Sequence, residues 1–138
     1  MHFRILVPVD LSNVDKLTKA LDIAARTAKE NDATVVYVGV VDAVPTTSAR
    51  TEGERMKEAL DIFAADQAKA YGIKTADQIA LRPDLHLHVG SGIISSAKDA
   101  NCNLIIMASH IPGIKDHIFS SNAGYVATHA PISVYVVR

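Results

Sequence analysis

Tryptophan is absent from the 138 residues, and aromatic side chains make up only 5% of them. So few rings argue against a surface built to stack nucleic-acid bases. Neither charge sign dominates. Fourteen Lys and Arg against fifteen Asp and Glu leave a net charge of -1. That balance gives no electrostatic case for nucleic acid or for an anionic membrane. A single cysteine, Cys102, excludes an internal disulfide and favours a reducing compartment, so the cytoplasm is the expected location. No apolar run approaches the roughly 18 residues that span a bilayer. Met1 to Arg4 run straight into a strand-like segment, so no signal peptide is expected. The Walker pattern GxxxxGK[ST] is missing, which excludes a P-loop NTPase.

What is present is ordinary globular material. Hydrophobic residues are 49% of the chain and charged residues 21%. The length suits one domain over residues 1–138, with a core of its own. Phe3 to Val9 (FRILVPV) and Thr34 to Val41 (TVVYVGVV) are nearly continuous β-branched runs, the mark of strands buried on both faces. Between them Leu17, Leu21, Ala24, Ala25 and Ala28 recur at helical spacing. Ser12 and Asp15 resemble a capping box at that helix's start, and Asn31-Asp32 mark its end. Thr51 and Glu54 suit the cap of a second helix striped by Met56, Ala59, Leu60, Phe63, Ala64 and Gln67. Tyr71-Gly72 suits its stop.

Ile73 to Pro83 reads as an irregular or partly helical connector, and the alternating Leu85 to Val89 (LHLHV) as the third strand, broken by Gly90-Ser91-Gly92. A short helix over Ile93 to Ala100 follows. Leu104 to Ala108 reads as the fourth strand, Asn122 to His129 as the fourth helix, and Ile132 to Val137 as the last strand. Strand and helix therefore alternate throughout. The fold class is α/β, a three-layer, Rossmann-like sandwich whose five-stranded parallel sheet has helices on both faces. In such sheets ligands lie beyond the C-terminal strand ends, where the strand order reverses.

The last third joins a strand, a polar loop and a helix start, the parts from which anion sites are made. Its segments MASH (Met107 to His110), SSNA (Ser120 to Ala123) and APISVYVVR (Ala130 to Arg138) resemble the C-terminal signature of the universal stress protein family. The opening ILVPVDLS (Ile5 to Ser12) and the segment YVGVVDAV (Tyr37 to Val44) are similar to that family's first and second strands with their exits. The resemblance covers essentially the whole chain. It implies the adenine nucleotide alpha hydrolase-like fold with strand order 3-2-1-4-5. It also implies a homodimer through the last strand, residues 132–137, and ATP, with or without Mg2+, held across strands one and four as part of a stress response.

Carried over residue by residue, the resemblance implies a nucleotide site of three groups. The first is Pro8, Val9, Asp10, Leu11 and Ser12 after strand one, with Val40 at the end of strand two. The second is Met107, Ala108, Ser109, His110 and Ile111 at the exit of strand four. The third is Ser120, Ser121 and Asn122 at the start of the last helix. The family's phosphate loop, G-x2-G-x9-G-[S/T], is altered. Ala108, Ile111 and Ser120 stand where glycines are usual, the second gap has eight residues, and only Ser121 keeps its identity. Glycines there allow positive φ and close approach of backbone to phosphate.

Each candidate also has a plainer reading. Asp10 suits ribose hydroxyls or an adenine amine, or simply caps the turn into Ser12. Ser121 suits a phosphate, or is an ordinary N-cap. His110 is a ribose or phosphate contact, or a surface histidine, and Lys115 is the nearest cation. Gly90-Ser91-Gly92 imitates a dinucleotide fingerprint but lacks its third glycine. His86 and His88 form an HxH pair without a third ligand, and Cys102 reads as structural. No catalytic constellation emerges from spacing. Three functions stay open: an adenine-nucleotide switch, a stress protein of this fold acting by protein contacts alone, and a slow ATPase.

Overall fold

The computed structural model of the chain describes residues 2–41, 49–82, 88–109, 119 and 121–138. In chain order the elements are β1 (Arg4–Val9), a 3-10 turn (Leu11–Lys16), α1 (Thr18–Glu30), β2 (Thr34–Val40) and α2 (Ala49–Tyr71). They continue with β3 (Lys74–Thr75), β4 (Ile79–Leu81), α3 (Val89–Asp99), β5 (Leu104–Ala108), α4 (Asn122–His129) and β6 (Ser133–Val137). All strand pairs are parallel, in the order β3-β2-β1-β5-β6, with β4 also on β2. β3 and β4 together fill the place of one interrupted third strand. The expected order 3-2-1-4-5 is the order observed.

The continuous apolar runs are needed because the sheet is covered on both sides. Alternate residues of one strand enter different cores. Ile5, Val7 and Val9 of β1, Val35 and Tyr37 of β2, and Ile106 and Ala108 of β5 pack with α1 and α2. Leu6, Val36, Val38, Ile105 and Met107 pack with α3 and α4. The α1 stripe is as the spacing predicts: Leu17, Leu21, Ala24, Ala25 and Ala28 are all buried. On α2, Leu60 and Ala64 are buried, while Ala59 faces solvent. Gly72 ends α2 at φ +67°, a left-handed conformation that glycine adopts without penalty.

Three local expectations differ from the structure. The cap before α1 is not Ser12 with Asp15. Asp10 caps the 3-10 turn by accepting from the Ser12 amide, and α1 begins only at Thr18. The third strand is not Leu85–Val89. Residues 83–87 lie outside the described set, His88 is the N-cap of α3, and Val89 is already helical. The expected connector instead supplies β3 and β4. Alternation in LHLHV misled because His88 is a cap and Val89 is the first half-buried position of the helix. Finally, α3 runs through Gly90 and Gly92 rather than starting after them.

The gap between β3 and β4 is closed by a side chain. Asp77 turns the chain away at φ +56°, and the Tyr37 amide on β2 loses its strand partner. Buried Gln78 replaces that partner, its Oε1 accepting from the Tyr37 N–H at 2.8 Å. A buried amide left unpaired costs about 1–3 kcal/mol. Gln78→Met, which keeps the shape but removes the acceptor, is expected to lower unfolding free energy by about that amount in a urea titration.

Candidate functional site

The crossovers from β1 and β5 part company at the C-terminal end of the sheet. β1 pairs with β2 along its whole length, to Val9 opposite Gly39. It pairs with β5 only at Ile5–Leu104 and Leu6–Ile105. β5 stays with β6 through Ala108 opposite Val137. Beyond Leu6 the β1–β5 ladder stops at Pro8, whose ring nitrogen has no N–H to donate toward β5, while the two strands remain neighbours in the sheet. The chain leaves β1 toward α1 on one face of the sheet. It leaves β5 toward α4 on the other. The place between β1 and β5 where these crossovers go to opposite faces is the reversal point of the sheet, where α/β folds offer a ligand crevice.

Asp10 stands at the β1 side of it, half-buried. Its Oδ1 accepts from the Ser12 N–H at 3.0 Å and its Oδ2 from the Asn13 side-chain amide at 2.8 Å. The capping role is therefore real. A carboxylate has about four acceptor sites, so two remain for a ligand. Pro8 and Val9 are buried beneath it, Leu11 is half-buried and Ser12 is exposed. Val40, at the end of β2, touches both cores and is half-buried.

On the β5 side, Met107 is fully buried in the α3–α4 core and Ala108 is 6% exposed. Both form a floor rather than presenting side chains. Ser109 leans toward β6: its N–H donates to the Val137 carbonyl at 2.9 Å, and its hydroxyl reaches the same oxygen at 3.3 Å. His110, Ile111, Lys115 and Ser120 lie outside the described residues, as does His86.

The N-terminus of α4 is held by an anchor that sequence reasoning missed. Phe119 is fully buried in the α1 side of the core, whereas Ala123 and Val126 are buried on the α3 side. The chain between them crosses the end of the sheet. The Ala123 N–H donates to the Phe119 carbonyl at 3.0 Å. Ser121 holds the N-cap position, exposed, and its hydroxyl makes no cap bond. Asn122 follows, half-buried, as the first helical residue. The apolar pair Ile118-Phe119, set between Asp116-His117 and Ser120-Ser121, was the available sequence signal for this anchor.

The N-terminus of α3 meets that of α4. Gly90 is buried, and a Cβ on it would lie 2.7 Å from Tyr125 Cδ1 and 3.2 Å from Asn122 Oδ1. Here glycine serves close helix approach. His88 Nδ1 accepts from the Ser91 amide at 3.4 Å, and its ring meets Tyr125 edge-on at 4.4 Å. Tyr125 in turn stacks on His129 at 4.0 Å. His88 is thus a helix cap and ring partner.

At the opposite, N-terminal end of the strands lies a groove of about 490 Å³, lined by Arg4, Ile94, Lys98, Cys102 and Ile132 among others. It is far in the fold from the reversal point and is mostly apolar. Arg4 is already committed there, to the Ala100 carbonyl at 2.8 Å and to Asp77 at 3.0 Å. Burial pushes the Cys102 thiol up from its ordinary pKa, against the opposing effect of Arg4, so it stays a protonated structural group.

Compared with known proteins, the whole chain, residues 1–138, matches the family described as the universal stress protein family. The chain belongs to that family. Among solved members, UspA from Lactobacillus plantarum is similar at a TM-score of 0.69 and 23% identity, covering 99% of this chain and 98% of its own. A universal stress protein in complex with cAMP gives 0.71 at 17% identity, covering 99% and 97%. The universal stress protein from Archaeoglobus fulgidus in complex with dAMP gives 0.70 at 20% identity, covering 99% and 98%. At these identities the likeness is one of fold. It agrees with the parallel sheet and the position of its reversal point in this universal stress protein. Since a Cβ at Gly90 has no room, Gly90→Ala is expected to separate α3 from α4. It should lower stability by about 1–3 kcal/mol in chemical denaturation.

Proposed function

We propose that this universal stress protein binds an adenine nucleotide, ATP first, with or without Mg2+, in the crevice between the ends of β1 and β5. The observation that carries the reading is the reversal of strand order between β1 and β5, whose crossovers go to opposite faces, with Asp10 on one bank and the N-terminus of α4 on the other. Asp10 retains acceptor sites for the ribose, and Val40 offers main-chain groups to the adenine. The exposed Ser121 hydroxyl, with Asn122 and the positive end of α4, supplies donor capacity and partial positive charge for phosphate. The solved relatives in complex with cAMP and dAMP support adenine as the base. Bound nucleotide would shift the protein's conformational population, and so act as a stress-responsive switch. No catalytic residue is assigned.

We further propose that the chain is one domain that works as a homodimer through β6, in the cytoplasm, where Cys102 stays reduced. β6 is the last strand of the sheet order, and Tyr135 on it is 47% exposed, one of two large apolar side chains left so open among the described residues. An uncovered edge of this kind invites pairing with a second copy. A second reading, action by protein contacts without nucleotide, is favoured by the loss of the loop glycines at Ala108, Ile111 and Ser120 and by the Ser109 bonds to Val137.

Thermal unfolding with ATP, AMP or neither, with and without Mg2+, separates the two readings. Nucleotide at a hundred times Kd is expected to stabilise by about 2–3 kcal/mol. Asp10→Ala should weaken binding by about 10- to 100-fold. No stabilisation at millimolar ATP would remove the nucleotide reading in favour of the second, and ADP accumulating over many turnovers would make the protein a slow ATPase. In sedimentation equilibrium, Tyr135→Glu is expected to weaken the dimer at least about tenfold, since two carboxylates would face each other across the seam. A wild type that is monomeric throughout would remove the dimer.

A further inference from the structure

We infer that the apolar groove at the N-terminal end of the sheet is a second binding site, for a medium-chain alkyl carboxylate, independent of the nucleotide crevice. Its origin lies in the two helices that cover this face. α3 and α4 start side by side, where buried Gly90 lies against Asn122 and Tyr125. From there α3 has 11 residues and α4 only 8, so α3 is longer by three residues, or about 4–5 Å. The last turn of α3 thus extends past α4, and the chain after α4 turns through Pro131 into β6 instead. What is left open is the groove of about 490 Å³, with Ile94, Ala97 and Lys98 of α3 on one side and Pro131 and Ile132 on the other.

Walls and floor are apolar. Ile94 and Ile132 are half-buried, and Ala97, Cys102 and Ile105 are buried. The volume lies in the range of small-ligand pockets. Apart from Cys102, the ionisable side chains lining the groove are Arg4, Lys98 and His2, and no carboxylate lines it. Lys98 is exposed and makes no ion pair among the described residues. Its methylene stem can lie along the apolar wall with the ammonium in water. Arg4 donates to the Ala100 carbonyl and to Asp77 and reaches the Cys102 thiol, and its guanidinium has more donors than these contacts use. Asp77 is 74% exposed, so water screens its charge. An apolar trough with basic side chains and no acid matches an apolar body with one anionic head. A monoanion fits better than a phosphate, because one of the two cations already carries a partner.

Amide NMR titrations of the full chain with octanoate, octanol and octyltrimethylammonium test this. Octanoate is expected to bind with a Kd on the order of 0.1–1 mM, and octanol about tenfold more weakly. The ammonium should give no saturable shift. The amides that move with octanoate should be those of Ile94 to Asn103 and of Ile132, with Ser12 and Ser121 unmoved, and ATP should not displace it. Lys98→Glu, at an exposed position, should weaken octanoate at least about tenfold and leave octanol within about twofold. Ile94→Asn should weaken both by about tenfold. Equal affinity for octanoate and octanol overturns the inference, as does an effect of Lys98→Glu on both alike, or shifts confined to other parts of the chain. A loss of self-association in Ile94→Asn by sedimentation equilibrium would make the groove a contact between copies and would overturn it as well. The octanoate titration reads this groove alone, so its failure is distinct from a failure to bind ATP.

Discussion

Everything in this molecule depends on β1 being flanked on both edges and covered on both faces. A strand so placed has no route to water for its backbone groups, so each must be paired within the sheet. Its side chains must all be apolar, and Ile5, Leu6, Val7 and Val9 are each at most 1% exposed. Parallel neighbours then require crossovers, and the crossovers place α1 and α2 on one face and α3 and α4 on the other. The chain must leave β1 and β5 toward opposite faces. The reversal point at their ends, where such folds offer a ligand crevice, follows from this topology.

What fills the banks of that crevice differs in kind. The β1 bank is short and closely tied, with Asp10 held by Ser12 and Asn13 within the turn that starts the first crossover. The β5 bank is built from parts distant in sequence. Ser109 is tied to Val137, and Phe119 reaches into the core on the far side of the sheet from the helix it precedes. The same Ser109 bond joins the exit of β5 to the last residue of β6. A change in the backbone at Ser109 would therefore be felt at the strand proposed to carry the dimer.

The sequence showed the sheet well because two-sided burial leaves a strong trace. FRILVPV, TVVYVGVV and LIIM contain almost no polar residue, and each became a strand within a residue or so of its expected ends. The third strand left no such trace. It is split by Asp77, only its Leu81 is buried, and its missing ladder bond is supplied by a side chain, Gln78. Polar residues in KTADQIAL therefore looked like a connector, while the alternation in LHLHV drew the strand toward a helix cap.

By itself the sequence determined the alternation of strand and helix and the two-faced burial of β1, β2 and β5. These follow from local periodicity and turn chemistry, which neighbouring residues record directly. Tertiary structure alone decided that Asp10 is gripped by Asn13 and that Ser121 occupies the cap of α4 without making a cap bond. It also decided that Gly90 serves the approach of α3 to α4. Each of these depends on how residues meet in space, through hydrogen-bond geometry or contact across elements, and periodicity along the chain carries no record of that.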